Sequence, residues 1–111
     1  MKLPGYKLAY IDLRKLRDYC LNPAHPVGKH KVKVFKKRLG ITKKDSETLR
    51  QKILEALTSS EATEVKTDSH GTRYRCEFDM VMNNQRETIV TIWIIRTDEN
   101  YPSLVTCYLK T

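Results

Sequence analysis

Apolar and polar positions change their spacing once along this chain, near Ser59-Ser60, and the change separates a helical half from a stranded half. Residues 1 to 10 read as a tethered arm or short strand, because Tyr6, Leu8 and Tyr10 alternate with Lys7 and Ala9. Asp12 is placed to cap a helix whose buried stripe is Leu13, Leu16 and Cys20, with Ile11 and Leu16 as a hydrophobic staple and Asn22-Pro23 as its stop. Pro26 suits the first turn of a second helix, where its missing N–H costs nothing. In that helix Gly28, Val32, Phe35 and Leu39 fall on one arc, and Lys29, Lys33, Lys36 and Lys37 on the opposite one. Gly40 follows as its terminator, and Thr42-Lys43-Lys44-Asp45 forms a capping box for a third helix that turns Leu49, Ile53, Ala56 and Leu57 inward.

Beyond Ser60 the period is two. Thr63 to Thr67 predicts a first strand, and Asp68-Ser69-His70-Gly71 its turn, with His70 a turn residue. In the next strand Tyr74, Cys76, Phe78, Met80 and Met82 share one face, while Arg73, Arg75, Glu77 and Asp79 share the other. Asn83-Asn84 predicts a hairpin into Glu87 to Arg96, whose near-continuous apolar run marks a central strand with Trp93 in the core. Tyr101-Pro102 reads as a loop clamp before a last strand, Leu104 to Leu109. The whole predicts an α+β fold, with about three N-terminal helices packed on one face of a C-terminal antiparallel sheet of about four strands. Residues 1–111 are expected to form one domain: an arm (1–10), a basic helical half (11–61) and an antiparallel sheet half (62–111).

Charge sharpens this division. The net charge is +8, and residues 1 to 61 carry 15 basic and six acidic side chains, against six and seven in residues 62 to 111. Eight of the basic residues lie between Lys29 and Lys44 without one acid among them, a stretch suited to a polyanion or an acidic partner. A solvated lysine-rich helix would carry the same pattern. The three cysteines Cys20, Cys76 and Cys107 are odd in number and far apart, so reduced thiols are expected rather than a disulfide scaffold. Cys20, His25 and His30 lack a fourth ligand, and no metal or cofactor is expected. The N-terminus lacks an apolar signal region and no run is long enough to span a membrane, so a cytoplasmic protein is the expectation.

Phosphate-loop, zinc-protease, nucleophile-elbow and paired-carboxylate signatures are missing from the sequence. What the chain offers is basic and hydroxyl chemistry. RNA cleavage through the 2′-hydroxyl needs a base, cations for the charge developing on phosphate, and a donor for the leaving oxygen. His25, between two prolines at a helix entrance, is the candidate acid–base residue, or else a structural helix-start device. Lys29, Lys31 and Arg73 are candidates to hold phosphate at the reacting centre, and Thr106 and Tyr108 to donate to or orient the substrate. Lys33, Lys36, Lys37, Arg75 and Arg96 are candidates for further nucleic-acid contacts. Arg73 and Arg75 would line an open cationic floor with Arg96, Thr106 and Tyr108, or would instead pair with Glu77, Asp79 or Glu87.

The stretch Leu16 to Lys31, which contains Asn22-Pro23-Ala24-His25-Pro26-Val27-Gly28-Lys29, resembles a small bacterial family of uncharacterised domains. Phe35, Leu39-Gly40, Gly71 to Tyr74, Trp93 to Arg96 and Pro102 to Tyr108 extend the resemblance over nearly the whole chain. Members of that family occur as free-standing short proteins or at the ends of large secreted polymorphic toxins. In its order of elements the chain is also similar to the barnase/EndoU/colicin/RelE-like ribonuclease toxins. That resemblance implies catalytic groups on helices and on the open sheet face, a metal-independent endoribonuclease activity, RNA as substrate, and an acidic antitoxin or immunity protein as partner. A non-enzymatic module that binds nucleic acid or an acidic protein is the alternative.

Overall fold

The computed structural model describes residues 1–22 and 29–110, with the side chains of Lys29 and His30 outside the description. Helical segments precede a sheet. A π-helix spans Lys15–Cys20; helix α1 spans Lys29–Leu39 and helix α2 spans Ser46–Ala56. Strands β1 (Ala62–Asp68), β2 (Gly71–Met82), β3 (Gln85–Arg96) and β4 (Ser103–Leu109) follow as an antiparallel meander in the order β1-β2-β3-β4. The α+β architecture read from the sequence is therefore the observed one.

The first ten residues are not a strand. Gly5 takes φ +70° and Tyr6–Leu8 closes a 3-10 turn, with the Leu8 N–H bonded to the Gly5 carbonyl at 2.9 Å. Alternation misleads here because the turn buries Leu3 and leaves Leu8 64% exposed, so the apolar residues do not share a face. The arm is tied down by backbone instead. The Ala62 N–H reaches the Met1 carbonyl at 2.6 Å, and Tyr10 forms a parallel bridge to Ser103 beside β4.

Asp12 caps the first helix as expected, its Oδ1 accepting the Arg14 N–H at 3.0 Å. The helix then widens into a π-helix whose last bond runs from the Leu21 N–H to the Leu16 carbonyl at 2.8 Å. This wider turn brings Leu16, Cys20 and Leu21 together to the core, where all three are buried. Helix α1 buries Val32, Phe35 and Leu39 and ends at Gly40, whose φ of +67° disfavours any residue with a Cβ. The last carbonyl, that of Leu39, accepts the Asn83 side-chain amide at 2.7 Å, joining α1 to the β2–β3 turn. Asn83 and Asn84 make that turn with φ of +52° and +63°, the backbone a two-residue hairpin requires. The Thr42 N–H donates to the Asp45 carboxylate at 2.8 Å, completing the capping box before α2, which buries Leu49 and Ile53.

The helices cover the sheet face that carries Tyr74, Cys76, Met80, Ile89, Trp93, Cys107 and Leu109. Cys76, Thr91 and Cys107 form one rung across β2, β3 and β4. On this rung the Thr91 hydroxyl accepts the Trp93 indole N–H at 2.8 Å and donates to the Cys76 carbonyl at 3.2 Å. The buried indole is thereby satisfied without water. Two irregularities shape the edges: Val65 bulges from β1, and Val105 is the extra residue of β4 between the Ile92 and Trp93 rungs.

Replacing Thr91 by Val keeps the shape and removes the acceptor, so Thr91→Val is expected to lower stability by about 1–3 kcal/mol in urea unfolding with an unchanged denaturant slope. Burial pushes the Cys76 thiol up to about 11 from an ordinary 9.0. The folded chain keeps that proton where the unfolded chain releases it, so this contribution is level below about pH 9 and is lost between about pH 9 and 11. Unfolding measured across that range should show the decline, and Cys76→Ala should flatten it by up to roughly 3 kcal/mol.

Candidate functional site

The candidate residues divide by chemistry as well as by place. Each of the chain's eight arginines is paired with a carboxylate. Arg73 binds Asp68 at 3.0 Å, Arg75 binds Glu77 at 2.5 Å and Arg96 binds Glu99 at 3.3 Å. All three lie on the sheet face turned from the helices, but each is matched locally by an acid. Among the described residues the lysines behave differently: Lys66 and Lys110 have carboxylate partners, whereas Lys31, Lys33, Lys36, Lys37, Lys43 and Lys44 form no ion pair. The uncompensated charge of the first half is therefore lysine charge, concentrated on α1 and the turn that follows it.

One of those lysines points toward the sheet. At the helical repeat, Lys31 and Arg38 lie on the flank of α1 nearer β3 and β4, Lys36 on the other flank, and Lys33 and Lys37 outward. Arg38 accordingly reaches Glu87 on β3 at 3.0 Å. Lys31 sets its Nζ 4.6 Å from the ring centroid of Tyr108 on β4. Tyr108 stands opposite Val90, which stands opposite Glu77, and Thr106 occupies the parallel rung with Ile92 and Arg75. The Thr106 hydroxyl lies 3.9 Å from the Cys20 sulfur. Lys31, Tyr108 and Thr106 thus gather where α1 and the π-helix meet the edge strand β4.

Cys20 belongs to this corner although its spacing marked it only as core. Its sulfur is met by the Cys107 thiol first, then by the Cys107 backbone N–H, the Thr106 hydroxyl and the charge of Lys31, which together draw the Cys20 thiol below its ordinary range despite burial. The same sulfur–sulfur contact and complete burial drive Cys107 the other way. Cys20 therefore packs against β4 at Thr106 and Cys107. No periodicity could have shown this, since it depends on how the π-helix lies along the strand. Among the described residues no group of His, Cys, Asp and Glu is placed to hold a metal ion.

Of the other candidates, His25 lies outside the described residues. Lys29 opens α1, its side chain outside the description. Lys33, Lys36 and Lys37 are exposed along α1. The cationic corner thus unites Lys31, Thr106 and Tyr108, with Arg75 on the Thr106 rung, while Arg73 and Arg96 stand toward the opposite end of the sheet, where Gly71 pairs with Arg96. Among the described residues no helix is long and apolar enough to cross a membrane.

A family model described as Domain of unknown function (DUF6883) matches residues 2–111, and the chain belongs to that family. No curated protein matches it. Among solved structures it is similar to a chain of a contact-dependent growth inhibition toxin–immunity protein complex from Klebsiella pneumoniae 342, at 14% identity and a TM-score of 0.69, over 90% of this chain and 98% of that one. At this identity the likeness is one of fold.

The Lys31–Tyr108 contact should be measurable by itself. A double-mutant cycle with Lys31→Met and Tyr108→Leu, followed by thermal or urea unfolding, is expected to give a coupling of about 0.5–1 kcal/mol; additivity of the two changes would reject the contact.

Proposed function

We propose that this chain is the toxin of a bacterial toxin–antitoxin or toxin–immunity pair, a metal-independent endoribonuclease that acts in the cytoplasm. The observation that carries the reading is the convergence of an unpaired lysine, a phenol and a hydroxyl, Lys31, Tyr108 and Thr106, at one edge of the sheet. The fold shared with a chain from a toxin–immunity complex supports it at the level of architecture.

In this reading the 2′-hydroxyl of the substrate attacks the adjacent phosphorus and the 5′-oxygen leaves, giving a 2′,3′-cyclic phosphate and a 5′-hydroxyl end. Proton transfer and charge stabilisation at phosphate are all the reaction demands. Lys31 neutralises charge developing on the phosphate oxygens, aided by Lys29, and Tyr108 and Thr106 donate to or orient the substrate. His25 supplies the acid–base step. Lys33, Lys36 and Lys37 track the flanking phosphates, as compact and strongly hydrated charges suited to sequence-independent contact. Arg73, Arg75 and Arg96 act after exchanging a carboxylate for a phosphate, which makes them the weaker members of the set.

A second reading, a non-enzymatic module that binds nucleic acid or an acidic protein, is favoured by the arginine pairing: a sheet face whose cations are all matched has little net field, and the free lysines of α1 alone would dock a polyanion. The two readings separate in one experiment. Purified chain incubated with total bacterial RNA in the presence of a divalent-metal chelator should create discrete new ends bearing 5′-hydroxyls, and Lys31→Ala or His25→Ala should slow their appearance about 10²–10³-fold while leaving the circular dichroism unchanged. Intact RNA with the unmutated chain would remove the nuclease reading. Equal, graded losses of RNA affinity across Lys33, Lys36 and Lys37 would then establish the docking module.

A further inference from the structure

On the flank of α1 away from Tyr108, a groove of about 410 Å³ opens between the helix and the segment leading into α2. Its floor is Leu21, Val32 and Ile41, and its rim is Lys36, Lys43 and Lys44. The floor residues are at most 5% exposed, so the walls within reach of a ligand are largely the methylene stems of the three lysines. Local chemistry holds this shape. The left-handed Gly40 turns the chain back beneath α1, and the Ile41 N–H bonds to the Phe35 carbonyl at 3.3 Å, seating Ile41 in the floor. Thr42 also lines the groove, and Asp45, the nearest acid in sequence, is engaged there by Thr42, its carboxylate accepting the Thr42 N–H at 2.8 Å and the Thr42 hydroxyl at 3.3 Å. Among the described residues Lys36, Lys43 and Lys44 form no ion pair around this slot, and the carboxylate that feels their charge is Asp18, near Lys43 and already bonded to Arg17.

We infer that this groove docks an acidic protein segment, one that inserts an apolar side chain between the lysine stems and sets flanking carboxylates against Lys36, Lys43 and Lys44. The inference deepens the partner half of the proposed function and rests on that reading; it assigns the immunity or antitoxin protein a contact on the flank of α1 opposite Lys31 and Tyr108. Charge complementarity carries it. Three unpaired cations around an apolar floor match a carboxylate-flanked apolar anchor, the arrangement that gives protein interfaces their central residue and polar rim. Single-stranded RNA fits the groove less well, because among the described residues no aromatic ring lines it and bases held without sequence preference need a stacking platform.

The test is a nuclear magnetic resonance titration of the full chain with a short synthetic peptide, acidic at both ends and bearing a central Leu-Phe pair. Two probes run beside it: the same peptide with Ser-Ser at the centre, and a uridine oligoribonucleotide of equal charge. The Leu-Phe peptide is expected to move the amide signals of Val32, Ile41 and Lys44, and to bind at least about tenfold more tightly than the Ser-Ser peptide. Lys43→Glu with Lys44→Glu is expected to weaken it by a further tenfold or more at low salt. These substitutions place acids just ahead of α2, where the helix dipole favours them, so the fold is kept. Equal binding of the two peptides, silence at Val32 and Ile41, or the oligoribonucleotide moving the same signals at a lower midpoint would each overturn the inference. Because this readout is binding, intact RNA in the cleavage assay beside a normal peptide titration would sink the nuclease reading alone, and active cleavage beside a silent titration would sink the docking site alone.

Discussion

The strand β3 must be buried on both of its faces, and the rest of the molecule follows from how that is done. On one face Ile89, Thr91 and Trp93 are covered by the helices. On the other, Val90 is fully buried and Ile94 is 5% exposed, although the helices pack on the opposite side. Their cross-strand neighbours Glu77 and Tyr108, and Arg73 and Ser103, supply the cover. A long charged side chain can lie flat over an apolar neighbour while its head stays in water or meets a counter-charge, and here the pairs Arg75–Glu77, Lys110–Glu77 and Arg73–Asp68 supply the counter-charge. The ion pairs of this face thus permit charged residues to act as lids on apolar ones.

β4 poses the complementary problem, an edge whose unpaired backbone groups would recruit another strand. Three devices close it. Tyr10 bridges to Ser103 at one end, the Cys20 sulfur lies 3.9 Å from the Thr106 hydroxyl in the middle, and α1 lays Lys31 across Tyr108. Protecting the edge and assembling the candidate site are the same structural act. The residues that could do chemistry are where they are because the strand had to be covered.

This explains what the sequence disclosed and what it withheld. Features set by a few consecutive residues were legible: the Asp12 cap, the Gly40 stop, the Thr42–Asp45 box, the Asn83-Asn84 hairpin and the alternation that divides Arg73 and Arg75 from Tyr74 and Cys76. Residues 1 to 10 show the limit, since alternation over a short stretch does not register a glycine at φ +70°. The meeting of Lys31 with Tyr108, and of Cys20 with Thr106, joins residues 77 and 86 positions apart. The second depends on a π-turn that no pattern of apolar residues specifies, and the first on how α1 lies along β4. Likewise Arg73 pairs with Asp68 across the β1–β2 turn, an acid outside the set Glu77, Asp79 and Glu87 that strand alternation offers it, because the partnership depends on the register across the turn.

The separation of arginine from lysine has a physical logic of its own. Arginine offers a planar fork that fits a carboxylate and is weakly hydrated, so where charges must lie half-buried over apolar strands it is the cation that loses least on pairing. Lysine is a compact, strongly hydrated charge on a flexible stem, so it can stand free on a helix without a fixed partner at small cost. With every arginine matched, the densest part of the field that an approaching polyanion senses comes from lysines along α1 and the turn after Gly40, and from the helix flanks on which they stand. α1 presents that field in two directions, through Lys31 toward the sheet edge and through Lys36 toward the groove. If the proposed acidic substrate and acidic partner both bind, each can therefore approach on a different flank of one helix, and selectivity between them would rest on what lies beside the lysines: a phenol and a hydroxyl on one side, an aliphatic floor on the other.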